Sequence, residues 1–172
     1  MIYKQRIGIF IVVSFLSILI TRLMPHPPNF TTTIAIAFYL PALFGFQYVL
    51  VALTAFVISD IIIGLHSLVL FTYGSIMLIG LSAKFFKSLY FRILGVSASC
   101  LIFFLLSNFG VWFLTESYNS DLSGLFTCYI MGLPFLKNSL ISSLGISILI
   151  EFLISIKFTK TYIAKINPNF VY

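Results

Sequence analysis

The sequence predicts an all-α integral membrane protein with about six transmembrane helices. Both termini are expected in the cytoplasm, and a short interfacial helix is expected on the outer side before the last span. Two features of composition and one of pattern carry this class. Of 172 residues, 60% are hydrophobic and only 8% are charged, against about 45–50% and 25% in a soluble domain. So few charges cannot cover a water-facing surface, which excludes soluble, disordered and nucleic-acid-binding classes. The apolar residues also gather in runs, and at about 20 residues per span six spans use roughly 120 positions. What remains makes short loops and tails, with no room for a soluble catalytic domain. Residues 1–172 therefore read as a single transmembrane domain.

The first span follows Lys4 and Arg6 and runs from Ile7 through Met24. Its basic start resembles a signal peptide, but no small-residue cleavage site follows, so it reads as an uncleaved helix. Pro25, Pro27 and Pro28 cannot continue a helix and set a stiff loop over Pro25–Thr31. The second span covers Thr33–Tyr48 with Pro41 as a kink, and the third covers Val49–Leu65 after a turn at Gly45–Tyr48. The fourth, Leu68–Ala83, stops at the basic residues Lys84, Lys87 and Arg92, and the fifth is Ile93–Leu114. Thr115–Ser123 is a polar loop. Gly124–Leu133 is apolar but too short to span, which predicts an interfacial or re-entrant helix ending at Pro134. The sixth span is Phe135–Phe158.

Cation placement sets the orientation, because short cytoplasmic loops are enriched in Lys and Arg. With the N-terminus inside, the inner side holds Lys4, Arg6, Lys84, Lys87, Arg92, Lys157, Lys160 and Lys165, and the outer side only Arg22 and Lys137. Cys100 and Cys128 are the two cysteines, lack CxxC spacing, and read as buried unpaired thiols.

Polar side chains inside a bilayer cost about 2.5–3.5 kcal/mol each on insertion scales, so their placement is informative. Arg22, His26 and Asn29 fall at the outer end of span one and its loop, beside Phe30. Asp60 lies in the outer part of span three, His66 in the following turn, and Tyr73 one turn into span four. Asn108 and Trp112 share a face near the outer end of span five, while Tyr129 and Asn138 bracket the start of span six. The inner half holds one acid, Glu151, expected to be paired or protonated. Chemistry from separate segments thus converges on one membrane face, the pattern of a small-molecule pocket open to the outside. Each residue has a structural alternative. Arg22 can snorkel, Asp60 can pair with Arg22 or His66, Asn108 can bridge helices, and Trp112 and the tyrosines can anchor at the interface. As a ligand group, Asp60 would instead accept hydrogen bonds from a substrate entering over Gly64.

No HExxH, GxSxG, phosphate-cradling GxxxxGK[ST] or DxxD motif is present. The reading is not an enzyme, with no cofactor and no metal. A small membrane enzyme or assembly factor built on His26, Asp60 and His66 is the alternative, although no activated nucleophile has an assignable base.

The segments RLMPHPPNFTTTIAIAFY (Arg22–Tyr39), SDIIIGLHS (Ser59–Ser67), YGS (Tyr73–Ser75), SNFGVW (Ser107–Trp112) and CYIMGLPFLKNSL (Cys128–Leu140) resemble an uncharacterised bacterial family of six-helix transport proteins. That family is in turn similar to the substrate-binding S components of energy-coupling-factor (ECF) vitamin transporters. The resemblance implies a multi-pass protein of the bacterial inner membrane that captures a vitamin-like micronutrient from outside. It also implies partners: an ECF-type transmembrane coupling subunit and ATPases. S components dock that subunit through AxxxA in the first span, where this chain offers only Ser17-x-x-x-Thr21.

The cation bias generates a topology prediction. A reporter fused after Tyr172 is expected in the cytoplasm and one inserted near Asn119 outside; finding both on one side would overturn the six-span map.

Overall fold

The structure, a computed structural model, describes residues 2–156, 161, 163 and 164, with side chains from residue 7 onward. Among these residues the chain forms six α-helices and no strand: α1 (Ile2–Leu23), α2 (Thr33–Phe44), α3 (Val49–Ile63), α4 (Val69–Ser82), α5 (Leu89–Leu114) and α6 (Leu122–Ser155). Single 3-10 turns, Phe46–Tyr48 and Ala83–Phe85, lead into α3 and out of α4. Among the described residues three segments are long and apolar enough to cross a membrane: Phe46–Ile63, Leu89–Leu114 and Leu122–Ser155. The apolar helices Ile7–Leu23, Thr33–Phe44 and Val69–Phe85 are shorter. Lys157, Lys160 and Lys165, counted with the inner cations, and the expected end of span six at Phe158 lie outside the described residues, as do the side chains of Lys4 and Arg6.

The centre of the bundle is α2. Every one of its residues except Ala42 is buried, and it touches α1, α3, α4, α5 and α6. At 1.5 Å per residue its 12 residues reach about 18 Å, little more than half of a ~30 Å hydrocarbon core. The second apolar segment is thus shorter than the expected Thr33–Tyr48. It ends at Gly45, whose φ of 110° is left-handed backbone that favours glycine, and the chain reverses there into α3. The expected turn at Gly45–Tyr48 is where the structure places it. Small residues let α2 sit so deep, since Ala35 and Ala37 are fully buried.

Serines line the other helix contacts, and several turn their hydroxyls back onto their own helix, although the buried Ser143 Oγ has no partner among the described residues. Ser75, Ser99 and Ser147 donate to the carbonyls of Phe71, Gly95 and Ser143, one turn earlier, at 2.5, 2.7 and 2.6 Å. Outward, large side chains such as Ile9, Leu70, Phe85 and Leu122 are well exposed. That inversion suits lipid contact and would be an aggregation liability in water.

Two further boundaries differ from the sequence expectation. The separate outer helix before Pro134 does not form: Leu122–Ser155 is one continuous helix through that proline. On its N-terminal side Gly124, Cys128 and Gly132 are buried four residues apart, and beyond it Ser139, Ser143 and Ser147 continue the small-residue face. The same face packs along α5 on both sides, so breaking the helix would forfeit a continuous interface for the sake of one missing N–H. Pro134 itself is exposed, on the face of α6 away from the buried small residues. Asp121 starts the helix, accepting the Gly124 N–H at 2.7 Å, and this bond together with the Ser123 hydroxyl holds its carboxyl below the usual range. The other shift is α5, which begins at Leu89 rather than Ile93 and so takes Arg92 into the helix.

That placement buries a cation. Arg92 is 1% exposed, and its Nε and one terminal nitrogen donate to the two oxygens of Glu151 at 2.6 and 2.8 Å. The second terminal nitrogen donates to the Lys87 carbonyl, and the Tyr39 hydroxyl of α2 donates to Glu151 at 2.8 Å. Glu151 is paired, one of the two states expected for it. Arg92 is therefore not a free loop cation, because its charge is cancelled within the bundle. Glu151→Gln should leave Arg92 buried without a counter-charge and cost about 3–5 kcal/mol. Thermal melting in detergent checks this, and the double variant Glu151→Met with Arg92→Met should recover a large part of the loss.

Candidate functional site

The polar residues at the other end of α2 are organised by Arg22, in the last turn of α1. Its guanidinium donates through one terminal nitrogen to Asp60 Oδ1 and through Nε to Ser59 Oγ at 2.5 Å. The plane lies over the Phe56 ring, 3.6 Å from its centroid, a cation–π contact inside an apolar bundle. Asp60 is 1% exposed and is held from further sides. Its Oδ2 accepts from the Tyr73 hydroxyl at 3.0 Å and faces His66 Nε2 at 3.4 Å. His66 Nδ1 accepts the Leu68 N–H at 3.1 Å, which places the ring proton on Nε2, toward the carboxylate. One carboxylate thus joins α1, α3, the turn after α3, and α4.

In front of Arg22 lies a cavity of about 110 Å³ at the N-terminus of α2. Its polar lining is Arg22, His26, Asn29, Thr31, Thr33 and Ser139; its apolar walls are Ile34, Phe56, Ile63 and Phe103. Phe103 and Ser139 lie near the midpoints of α5 and α6, so the cavity is level with the middle of the two longest helices. The loop over it is shaped locally. Phe30 N–H bonds the Pro27 carbonyl at 3.0 Å, and Asn29 has φ 61°. Proline followed by a left-handed residue is the type II turn pattern, with Asn tolerating the position. Asn138 of α6 clamps the loop, its Nδ2 donating to the Pro28 carbonyl at 3.0 Å.

The expected single cluster is therefore divided. Arg22, His26 and Asn29 line the cavity together. Asp60, His66 and Tyr73 sit behind Arg22 as its support and do not line it. Phe30 is on the exposed part of the loop, 39% exposed, and Asn138 is a loop tether. Asn108, Trp112 and Tyr129 belong to a different place, the α5–α6 interface. Asn108 donates to the Phe104 carbonyl at 2.8 Å, and its Oδ1 presses on Gly132, where an added Cβ would come within 2.5 Å. Tyr129 donates to the Leu105 carbonyl at 3.0 Å, and Trp112 Nε1 pins the polar loop through the Asn119 carbonyl at 2.9 Å. The two thiols are buried and unpaired, resting against the carbonyls of Ser139 and Asn108.

Sequence reading missed Ser59 in the support of Arg22 and, in the cavity lining, Thr31, Thr33, Ile34, Phe56, Ile63, Phe103 and Ser139. Ser59 was signalled by its adjacency to Asp60. Ser139 was signalled by the helical spacing of Ser139, Ser143 and Ser147. Phe103 carries no local signal.

This geometry makes Asp60 a positioning group whose loss strands a cation. Asp60→Asn and Arg22→Gln should each destabilise the protein by about 3–5 kcal/mol. Melting of the detergent-solubilised variants measures it, and an Asp60→Asn protein as stable as wild type would contradict the support role.

Residues 3–162 match the model of a family described as a family of unknown function, DUF6580. No curated protein and no solved structure matches the chain. The family match brings no activity with it, so the reading of the cavity rests on its own chemistry. With nearly its whole length aligned, the chain belongs to DUF6580.

Proposed function

We propose that this protein is a multi-pass subunit of the bacterial inner membrane that captures a small organic molecule from the outer face for uptake. In this reading all six helices cross or enter the bilayer with both termini inside, and transport is completed by an ECF-type coupling subunit and ATPases. The observation that carries the proposal is the cavity at the N-terminus of α2, where Arg22, His26 and Asn29 converge with two phenylalanines. A site at mid-height, beside a helix that starts partway along the bundle, is the arrangement by which membrane transporters expose backbone groups to a substrate. Sites for drug-sized ligands hold about 300–1,000 Å³. The 110 Å³ here thus encloses one end of a vitamin-like molecule, with the remainder reaching outward beneath the Pro25–Thr31 loop.

The enzyme reading has less support. Both nitrogens of His66 are occupied, Nδ1 by the Leu68 N–H and Nε2 by Asp60, so neither is placed to act as a base. His26 lies on the exposed loop, and among the described residues no group of three His, Cys, Asp or Glu side chains is arranged to hold a metal.

Native mass spectrometry of gently purified protein tests the proposal, since a captured molecule should co-purify. His26→Ala should reduce its occupancy about tenfold, roughly 1.4 kcal/mol, with melting unchanged. Protein that carries no small molecule, and regains none from a concentrated extract of growth medium, would rule capture out.

A further inference from the structure

The first amides of α2 are exceptional for a buried helix. Thr33, Ile34 and Ala35 are 2%, 5% and 0% exposed, yet their N–H groups have no acceptor among the described residues. No side chain caps the helix either, because Thr32 makes no capping bond. Free N-terminal amides carry the positive end of the helix dipole, about half an elementary charge, and they need a partner when water is excluded. Thr33 and Ile34 line the cavity, which puts the first turn of α2, where those donors lie, against it.

A second observation points the same way from another helix. Ser139 of α6 is 2% exposed and lines the cavity, and its hydroxyl makes no hydrogen bond to any described residue. Its carbonyl is already taken by Cys100 and Ser142, so the idle group is the side-chain donor alone. Arg22 adds a third. Its Nε and one terminal nitrogen are used on Ser59 and Asp60, while the other terminal nitrogen has no acceptor among the described residues. Three separate elements thus bring unused donors to the lining of one small space.

We propose that this cavity is a carboxylate subsite: it takes the anionic end of an organic acid against the α2 amides, Ser139 Oγ and the free edge of Arg22. The proposal rests on the capture reading and names its substrate class. Charge count selects a monoanion. Asp60 already cancels Arg22, which leaves the helix terminus as the main uncompensated positive charge. A phosphate dianion would be left undercompensated in that setting, whereas a carboxylate matches it and presents two acceptor oxygens to the donor set. The volume agrees, since 110 Å³ is the space of only a few water molecules at ~30 Å³ each.

Thermal shift of the full chain in detergent, with a matched probe series, tests this. Sodium propionate should raise the melting temperature in a saturable way, and propionamide, propanol and sodium chloride should not. Ser139→Ala, which removes one donor from a serine that holds no other residue through its hydroxyl, should weaken the propionate response about tenfold at unchanged melting temperature. Native mass spectrometry of the same preparation separates the two readings. A co-purified acid supports both. A co-purified neutral or cationic molecule without any propionate shift overturns the carboxylate subsite and leaves capture standing. An equal shift with chloride, or a Ser139→Ala response matching wild type, also overturns the subsite. Finding no bound molecule and no shift removes both.

Discussion

A charge inside an apolar helix bundle has no water to stabilise it, so each one must be cancelled where it sits. Two ion pairs meet that constraint here, and they bracket α2. At one end Arg92 and Glu151 join α5 to α6, with Tyr39 adding α2 through its hydroxyl. At the other, Arg22 and Asp60 join α1 to α3, with Tyr73 drawing in α4. Neither pair is a simple contact between two helices. Each carboxylate also accepts from a tyrosine on a third helix, so removing one charge would loosen three elements at once. Between the pairs the bundle is held by close packing of small and aromatic side chains, with polar groups turned back onto their own helices.

The second organising feature is a difference of length. Helix α2 is a buried plug about 18 Å long, while α5 and α6, with 26 and 34 residues, continue past its N-terminal end. A short helix in the middle of longer ones leaves a hollow above its first turn, and the proline-rich loop covers that hollow. The site is thus a product of chain topology before it is a product of side chains. Arg22 and His26 reach it because α1 ends there. Ser139 reaches it because the small-residue face of α6 passes there.

Much of the helix map was legible because long apolar runs and proline or glycine punctuation are local signals. The turn at Gly45, the basic stop after α4 and the polar loop before α6 follow directly from them. Pro134 misled, because a proline's local preference is weaker than the interface that Gly124, Cys128 and Gly132 make with α5. The charge pairs were half legible. The sequence offers Arg22 and Asp60 as a possible pair, but it reads Arg92 as a loop cation since nothing local marks it as buried. The division of the outer polar residues into a cavity, its support and an unrelated helix seam was not legible. Position along a helix gives depth and face, but which neighbouring helix fills that face is a tertiary fact.

The burial of both thiols carries a practical consequence. Cys100 is fully covered and Cys128 is 1% exposed, each resting on a neighbouring helix's backbone carbonyl. A water-borne maleimide has no route to either sulfur while the bundle is folded. Single cysteines introduced along the loop over the cavity or the faces of α5 and α6 would then report their own accessibility against a silent native background. The molecule is built to be mapped by labelling without first deleting its own cysteines, and any reaction at wild-type thiols would itself signal that the helices had come apart.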